Sequence, residues 1–151
     1  MIRLTFEPFD PGALLSEFCK DRMEVGAVAT FTGLARAEAG ATTVLELEAY
    51  PGFTEARIGE IAAQARVRFK LDDVEILHRV GKIGPGEPVV FVATAARHRR
   101  AAFEACDFLM DYLKSKAPFW KKEHGPDGER WIEPRAEDHA DVARWDKETS
   151  K

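Results

Sequence analysis

The sequence predicts a single α+β domain, and three observations lead there. Its 151 residues, 45% of them hydrophobic, suffice for one well-formed core and are too few for two ordinary domains. Period-two apolar alternation and the three- and four-residue spacing of amphipathic helices both occur along the chain. They occur without strict strand–helix–strand repetition, so a mixed or antiparallel sheet with flanking helices is expected rather than a doubly wound one.

Ile2, Leu4 and Phe6 alternate with polar residues, as in an edge or half-buried strand. Asp10-Pro11 opens a short helix to about Lys20. Asp10 can cap the free amides, Pro11 has no amide to leave unpaired, and Leu14, Leu15 and Phe18 share one side. Val25 to Gly33 is rich in β-branched and small residues and predicts a buried strand ending at Thr32-Gly33. A polar loop with Gly40, Ala35 to Thr42, leads into a second alternating stretch, Val44 to Tyr50. Pro51-Gly52 breaks that stretch, and a helix starts near Thr54 with Ile58, Ile61, Ala62 and Ala65 on one face. Val74 to Val80 and Pro88 to Ala95 read as strands joined by a compact turn segment around Gly81 and Gly84-Pro85-Gly86.

The clearest helix runs from Arg99 to Lys116. Ala102, Phe103, Cys106, Leu109, Met110 and Leu113 form one apolar stripe, with Glu104, Asp107 and Asp111 on the other side. Pro118 ends it by pushing Ala117 out of the helical region, and Phe119 to Glu123 continues as an extended segment. Gly125-Pro126-Asp127-Gly128 predicts a turn, and Trp131-Ile132 a last short strand. The domain is expected to cover residues 1–135. Residues 136–151 are polar and charged except for Val142 and Trp145, and predict a tail ordered only against a partner.

A net charge of −4 gives no global attraction to nucleic acid or to an acidic membrane, so any anion site has to be a local cluster. No apolar run approaches the roughly 20 residues that span a bilayer, and Met1-Ile2-Arg3-Leu4 does not begin a secretory signal. The cytoplasm is the expected location. Cys19 and Cys106 belong to no metal-binding or redox spacing and are expected to be buried structural thiols. Neither a metal nor a cofactor is implied.

Two basic clusters stand out. Arg97-His98-Arg99-Arg100 opens the long helix, where the dipole disfavours cations by about 0.3–1 kcal/mol each when exposed. An exposed basic corner paired with residues such as Glu104 would account for it. So would a bound anion, most naturally phosphate, held by helix amides, guanidinium and imidazole. Successive helical residues diverge, so His98 and Arg99 are expected in such a pocket, with Arg97 and Arg100 solvated. Arg36 lies just beyond Thr30-Phe31-Thr32-Gly33, where a loop arginine is either solvated or part of a strand-end binding site.

The second cluster is Lys114-Ser115-Lys116-Ala117-Pro118-Phe119-Trp120-Lys121-Lys122. Lysines in a last helical turn are ordinary, since they complement the dipole. The aromatic pair alters the balance. In an extended segment Phe119 and Lys121 point one way while Trp120 and Lys122 point the other, so at most one of the adjacent lysines faces a given pocket. If the proline-set turn brings Lys114 over the same cleft, repulsion and partial desolvation lower at least one lysine pKa toward acid/base use.

Several segments together resemble the large subunit of molybdopterin synthase. They are Thr30-Phe31-Thr32-Gly33 with Arg36, Tyr50-Pro51-Gly52 with Thr54-Glu55, His78-Arg79-Val80-Gly81, His98-Arg99 with Ala102-Phe103-Glu104-Ala105, Met110-Asp111-Tyr112-Leu113-Lys114 running into Ala117-Pro118-Phe119-Trp120-Lys121, and Arg130-Trp131 with Arg135. The likeness is collinear over roughly positions 25 to 135.

The resemblance implies an α/β hammerhead-type α+β fold and a homodimer within a heterotetramer. Each large subunit would bind a small ubiquitin-like sulfur carrier whose C-terminal Gly-Gly ends in a thiocarboxylate. Two sulfurs would pass to cyclic pyranopterin monophosphate, forming the dithiolene of molybdopterin. By the same resemblance the catalytic residues fall on Lys114 and Lys121, and the substrate-binding residues on Arg36, His98, Arg99 and Arg135. Lys114 would hold the carrier's terminus, and Lys121 would serve the substrate or act as general acid. Arg97, Arg100 and Pro134 depart from the family pattern around these positions. A different class of function is a non-catalytic module that captures the partner's extended Gly-Gly terminus with the same lysines. The separate Arg36, His98 and Arg99 set exceeds what one peptide terminus needs.

Overall fold

Alternation along two central strands organises the molecule, which a computed structural model describes over residues 1–37 and 43–148. In β6 (Pro88–Ala96), Val90, Val92 and Ala96 face one layer while Phe91, Ala93 and Ala95 face the other. In β4 (Asp73–Arg79), Val74 and Ile76 join the first set and Leu77 the second. With β1 (Ile2–Thr5) and β2 (Ala27–Leu34) these strands form a four-stranded sheet ordered β1-β4-β6-β2. The β1–β4 pair is parallel and the others antiparallel.

Two long helices, α2 (Phe53–Phe69) and α3 (Arg99–Ser115), cover one face. Their Ile58, Ile61, Ala65, Ala105, Phe108 and Leu109 are all at most 1% exposed and close the main core against the sheet. Burial on this scale is the dominant favourable term in folding, about 1.5–3 kcal/mol for each large apolar side chain. The short helix α1 (Pro11–Phe18) packs Leu14 and Phe18 on the opposite face, with its first amides capped by Asp10. Cys19 follows as its C-cap and is exposed, against the expectation of a buried thiol, because it lies past the last apolar residue of the helix that packs, Phe18. Cys106, on the apolar stripe of α3, is buried.

A second, fully antiparallel sheet stands at one end of the first, ordered β5-β3-β7-β8. Its strands are β3 (Val44–Ala49), β5 (Gly81–Ile83), β7 (Phe119–Gly125) and β8 (Gly128–Ile132). The strand β5 falls inside the expected turn segment: Gly81 takes a left-handed φ of 83° and redirects the chain from β4 into this sheet. The predicted buried strand at Val25–Gly33 is instead an edge strand, with Thr30, Phe31 and Leu34 exposed. Its composition suited a strand, but among the described residues β6 is its one hydrogen-bonded neighbour in the sheet. Of the predicted loop Ala35–Thr42, residues 38–42, Gly40 included, lie outside the described residues.

The segment read from sequence as a polar tail forms α4 (Ala136–Glu148), with residues 149–151 outside the described part. Its two apolar exceptions are the ones that pack: Val142 and Trp145 are 6% and 4% exposed. Trp145 meets Phe69 and Phe108 edge to face, and its indole N–H donates to Asp111. Arg144 reaches Asp107 and Asp111 at 2.6 and 2.8 Å, so the acidic side of α3 is the seat of α4.

Candidate functional site

Lys114 is the penultimate residue of the long helix, and three residues of turn separate Ser115, its last, from β7, which carries Lys121. That turn is pinned by Thr54, fully buried at the start of α2, whose hydroxyl accepts from the Tyr50 amide and donates to the Pro118 carbonyl at 3.0 Å. The β7 pairing with β3 sets Lys121 opposite Leu47 and Phe119 opposite Ala49. Phe119 and Lys121 therefore project from the same face of the strand. Lys122 projects from the other, where its ammonium pairs with Glu129 at 2.9 Å and sits 4.7 Å from the centre of the Trp131 ring. Of the two adjacent lysines it is Lys121 that shares the Phe119 side of the strand, near His78 and Lys114, while it also contributes to the rim of a hollow.

The hollow holds about 220 Å³, with Lys121, Pro118, Trp120, Trp131 and Tyr50 among its walls. Tyr50, Trp120 and Trp131 follow one another edge to face, and the Trp120 indole N–H donates to the Tyr50 hydroxyl. Burial lowers the Lys121 pKa, the charge of Lys114 lowers it further, and Asp138 and Glu123 oppose them while Arg135 adds to the lowering. Such mutual influence places Lys114, Lys121, Arg135 and Asp138 in one electrostatic neighbourhood. A larger hollow of about 410 Å³ between β1 and α1, lined by Arg3, Asp10, Leu14 and Leu77, contains none of the candidate residues.

Beneath the lysines lies a residue given no role from sequence. His78 is 8% exposed at the end of β4, stacked on Phe119, with Nδ1 2.9 Å from the Arg79 carbonyl. The carbonyl can only accept, so Nδ1 carries the proton of a neutral ring. Burial pushes its pKa down to about 4, and the charges of Lys114 and Lys121 act in the same direction. Asp138 was also missed. It lies in the first turn of α4, where its carboxylate accepts from the Arg135 amide and pairs with the Arg135 guanidinium at 3.6 Å. Its only sequence signal was an acidic residue three positions after a helix-starting residue, which points to capping rather than chemistry.

The remaining candidates divide between the two ends of the first sheet. Arg36 is exposed two residues past β2, at the end where Gly33 pairs with Val90 and Leu34 with Pro88. Because α3 follows the far end of β6 and returns along the sheet, Lys114 finishes at that same end. His98 and Arg99 are exposed at the start of α3, about 22 Å from Lys114 along the helix axis. His98 is the N-cap residue, yet its side chain makes no capping hydrogen bond. Gly26 allows the close approach of this corner, since a Cβ there would lie 2.2 Å from the Arg97 carbonyl oxygen. Arg97 and Arg100 are exposed as well, so one copy of the chain forms no enclosed pocket from these four residues. Arg135 is exposed and paired with Glu137 and Asp138.

Fold and site together define an α+β protein with an aromatic-walled cleft beside a half-buried ammonium that can meet an anionic group. Among the described residues no group of three metal-ligating side chains occurs, and no helix is long and apolar enough to cross a membrane. The chain belongs to the MoaE protein family, whose profile matches residues 4–116. It is 69% identical over 148 residues to the molybdopterin synthase catalytic subunit of Caulobacter vibrioides, covering 98% of this chain and 99% of that one. Among solved structures, the molybdopterin cofactor biosynthesis protein E of Burkholderia multivorans superposes with a TM-score of 0.82 at 46% identity, over 96% of this chain and 95% of that one. The molybdopterin synthase of Staphylococcus aureus does so with a TM-score of 0.78 at 30% identity, over 86% and 95%.

Proposed function

We propose that the chain is the catalytic subunit of a molybdopterin synthase acting in the cytoplasm. It takes the C-terminal thiocarboxylate of a small ubiquitin-like carrier and transfers two sulfurs, one at a time, to cyclic pyranopterin monophosphate. The observation that carries this reading is Lys121, half-buried on the Phe119 side of β7 at the rim of an aromatic-walled hollow, with its pKa lowered by burial and by Lys114. A cleft of about 220 Å³ suits an extended terminus with glycines at its end, which have no side chains to clash with Trp120 and Trp131.

In each transfer the thiocarboxylate sulfur forms a bond to a substrate carbon as that carbon gives up a C–O bond, its oxygen leaving with a proton or on the phosphate. Water then breaks the acyl C–S bond, leaving a carboxylate on the carrier and the sulfur on the substrate. Lys114, exposed and near enough for its charge to act on Lys121, holds the anionic terminus or the oxyanion at its carbonyl. Lys121 holds less tightly to its proton than an ordinary lysine and supplies it at the pterin side chain. Arg36, at the same end of the sheet, grips the substrate's phosphate, and Arg135 adds positive potential while holding Asp138.

His98 and Arg99 stand too far along α3 to reach that substrate from the same copy. A homodimer answers the distance if the start of α3 in one copy faces the hollow of the other, each copy carrying one sulfur-carrier subunit. The test is direct: mix the chain with a thiocarboxylated Gly-Gly carrier and the cyclic pterin, and assay for dithiolene product. Carrier binding without any product would leave only the binding-module reading.

A further inference from the structure

Arg79, at the end of β4, is 6% exposed. Its Nη1 donates to a Glu87 carboxylate oxygen at 3.0 Å and its Nη2 to the Lys82 carbonyl at 3.3 Å, while its buried Nε has no acceptor. A buried arginine with one donor unsatisfied, paired with a carboxylate that is 42% exposed, is a poor device for stability alone, since desolvating the guanidinium offsets much of the screened attraction. What it secures is geometry. The same carboxylate oxygen accepts from the Gly84 amide at 2.6 Å, closing the turn from Gly84 to Glu87.

That turn grips the end of β2. The Ala35 amide donates to the Glu87 carbonyl at 2.9 Å, and the Gly86 amide donates to the Ala35 carbonyl at 2.6 Å. The grip falls just where the β2–β6 ladder shifts register, between Gly33 and Leu34, and no longer fixes the strand by itself. Ala35 is 8% exposed, and the next residue is Arg36.

We propose that Glu87, anchored by Arg79, is a positioning residue for Arg36. It fixes the backbone from which the guanidinium reaches the substrate's anionic group. The inference rests on the reading of Arg36 as a substrate ligand. Misplacing such a group by an ångström is enough to weaken its contacts severely.

The test is a double-mutant cycle on Glu87→Ala and Arg36→Ala, each assayed with thiocarboxylated carrier. Amide hydrogen exchange at Ala35 and Arg36 is measured in parallel, with Glu87→Asp as the conservative variant. Glu87→Ala should raise the KM for the cyclic pterin roughly 10-fold with kcat within about twofold, and add less than about twofold in the Arg36→Ala background. It should also speed exchange at both amides, and Glu87→Asp should recover part of each effect. An undiminished KM effect in the Arg36→Ala background, or unchanged exchange in Glu87→Ala, overturns the proposal. If Arg36→Ala leaves KM unaltered while Glu87→Ala still speeds exchange, it is the substrate role of Arg36 that fails, and the anchoring of its backbone stands.

Discussion

The imidazole of His78 lies stacked on the ring of Phe119, centroids 4.2 Å apart and planes 25° from parallel. One ring ends a strand of the large sheet and the other begins a strand of the small one, so the contact joins the two sheets directly beneath Lys121. It also requires a neutral imidazole, because a protonated ring would sit buried beside two ammonium groups.

This sets a pH dependence of stability. The folded-state pKa of His78 is about 4, below its ordinary 6.5. Between those values the unfolded chain binds a proton that the folded chain refuses, so stability is full above about pH 6.5 and falls as pH drops toward 4. Denaturant melts at pH 7 and pH 5 should show wild type losing about 2 kcal/mol more than His78→Phe, which keeps an aromatic surface but does not titrate. Equal losses would mean that His78 is not the group responsible.

Lys114 and Lys121 are coupled, and their substitutions should report it. Lys121→Ala should lower product formation by on the order of 100-fold with little change in melting temperature, and Lys114→Ala should lower it as well. Removing the Lys114 charge should also raise the pKa of Lys121, which NMR titration of labelled lysine side chains would follow. Full activity in both alanine variants would remove the lysines from the mechanism.

The distance between His98 and Lys114 makes a prediction about assembly. His98→Ala combined with Arg99→Ala should chiefly weaken substrate binding. If the two sets meet across a dimer, refolding that variant with Lys121→Ala should restore about a quarter of wild-type activity, because half the dimers are hybrids with one complete site of two. No recovery on mixing would place each complete site within a single copy.

Trp145 tests whether α4 belongs to the folded unit of the isolated chain. Its indole fills a pocket between Phe69 and Phe108, so Trp145→Ala should destabilise the chain by about 3–5 kcal/mol in urea melts without carrier present. A change below about 0.5 kcal/mol would mean that the helix docks only with a partner.

Neither cysteine should matter to sulfur transfer. Burial, with Asp107 nearby, pushes the Cys106 thiol up to about 11, far from a reactive thiolate. Cys19 lies beyond α1, away from the lysine hollow. Product formation by Cys19→Ser and Cys106→Ala should match wild type per folded molecule, and its loss in Cys19→Ser would reopen a persulfide route.

Local chemistry made most elements legible: α3 was marked by an unbroken apolar stripe and a closing proline, and β4 and β6 by their composition and bounding glycines. The strand β5 was not legible, since its three residues have no pattern of their own and are a strand only because β3 lies beside them. The edge position of β2 was equally hidden. Burial of a strand depends on its neighbours, which composition does not name. Trp145 was noticed as an exception in a polar run, but its partners on α2 and α3 lie far back in the chain.

Taken alone, the sequence determined which residues are cationic, which helix they bracket, and that Lys121 and Lys122 must face opposite ways, because these follow from charge and backbone period. Tertiary structure decided the rest. It put Lys121 on the side of Lys114 and left Lys122 paired with Glu129, set His78 under the lysines and Asp138 beside them, and sent His98 and Arg99 to the far end of α3. Each of these outcomes depends on where strands and helices distant in the chain are brought together, and a side chain's charge and pKa effects act over ångströms of space rather than positions of sequence.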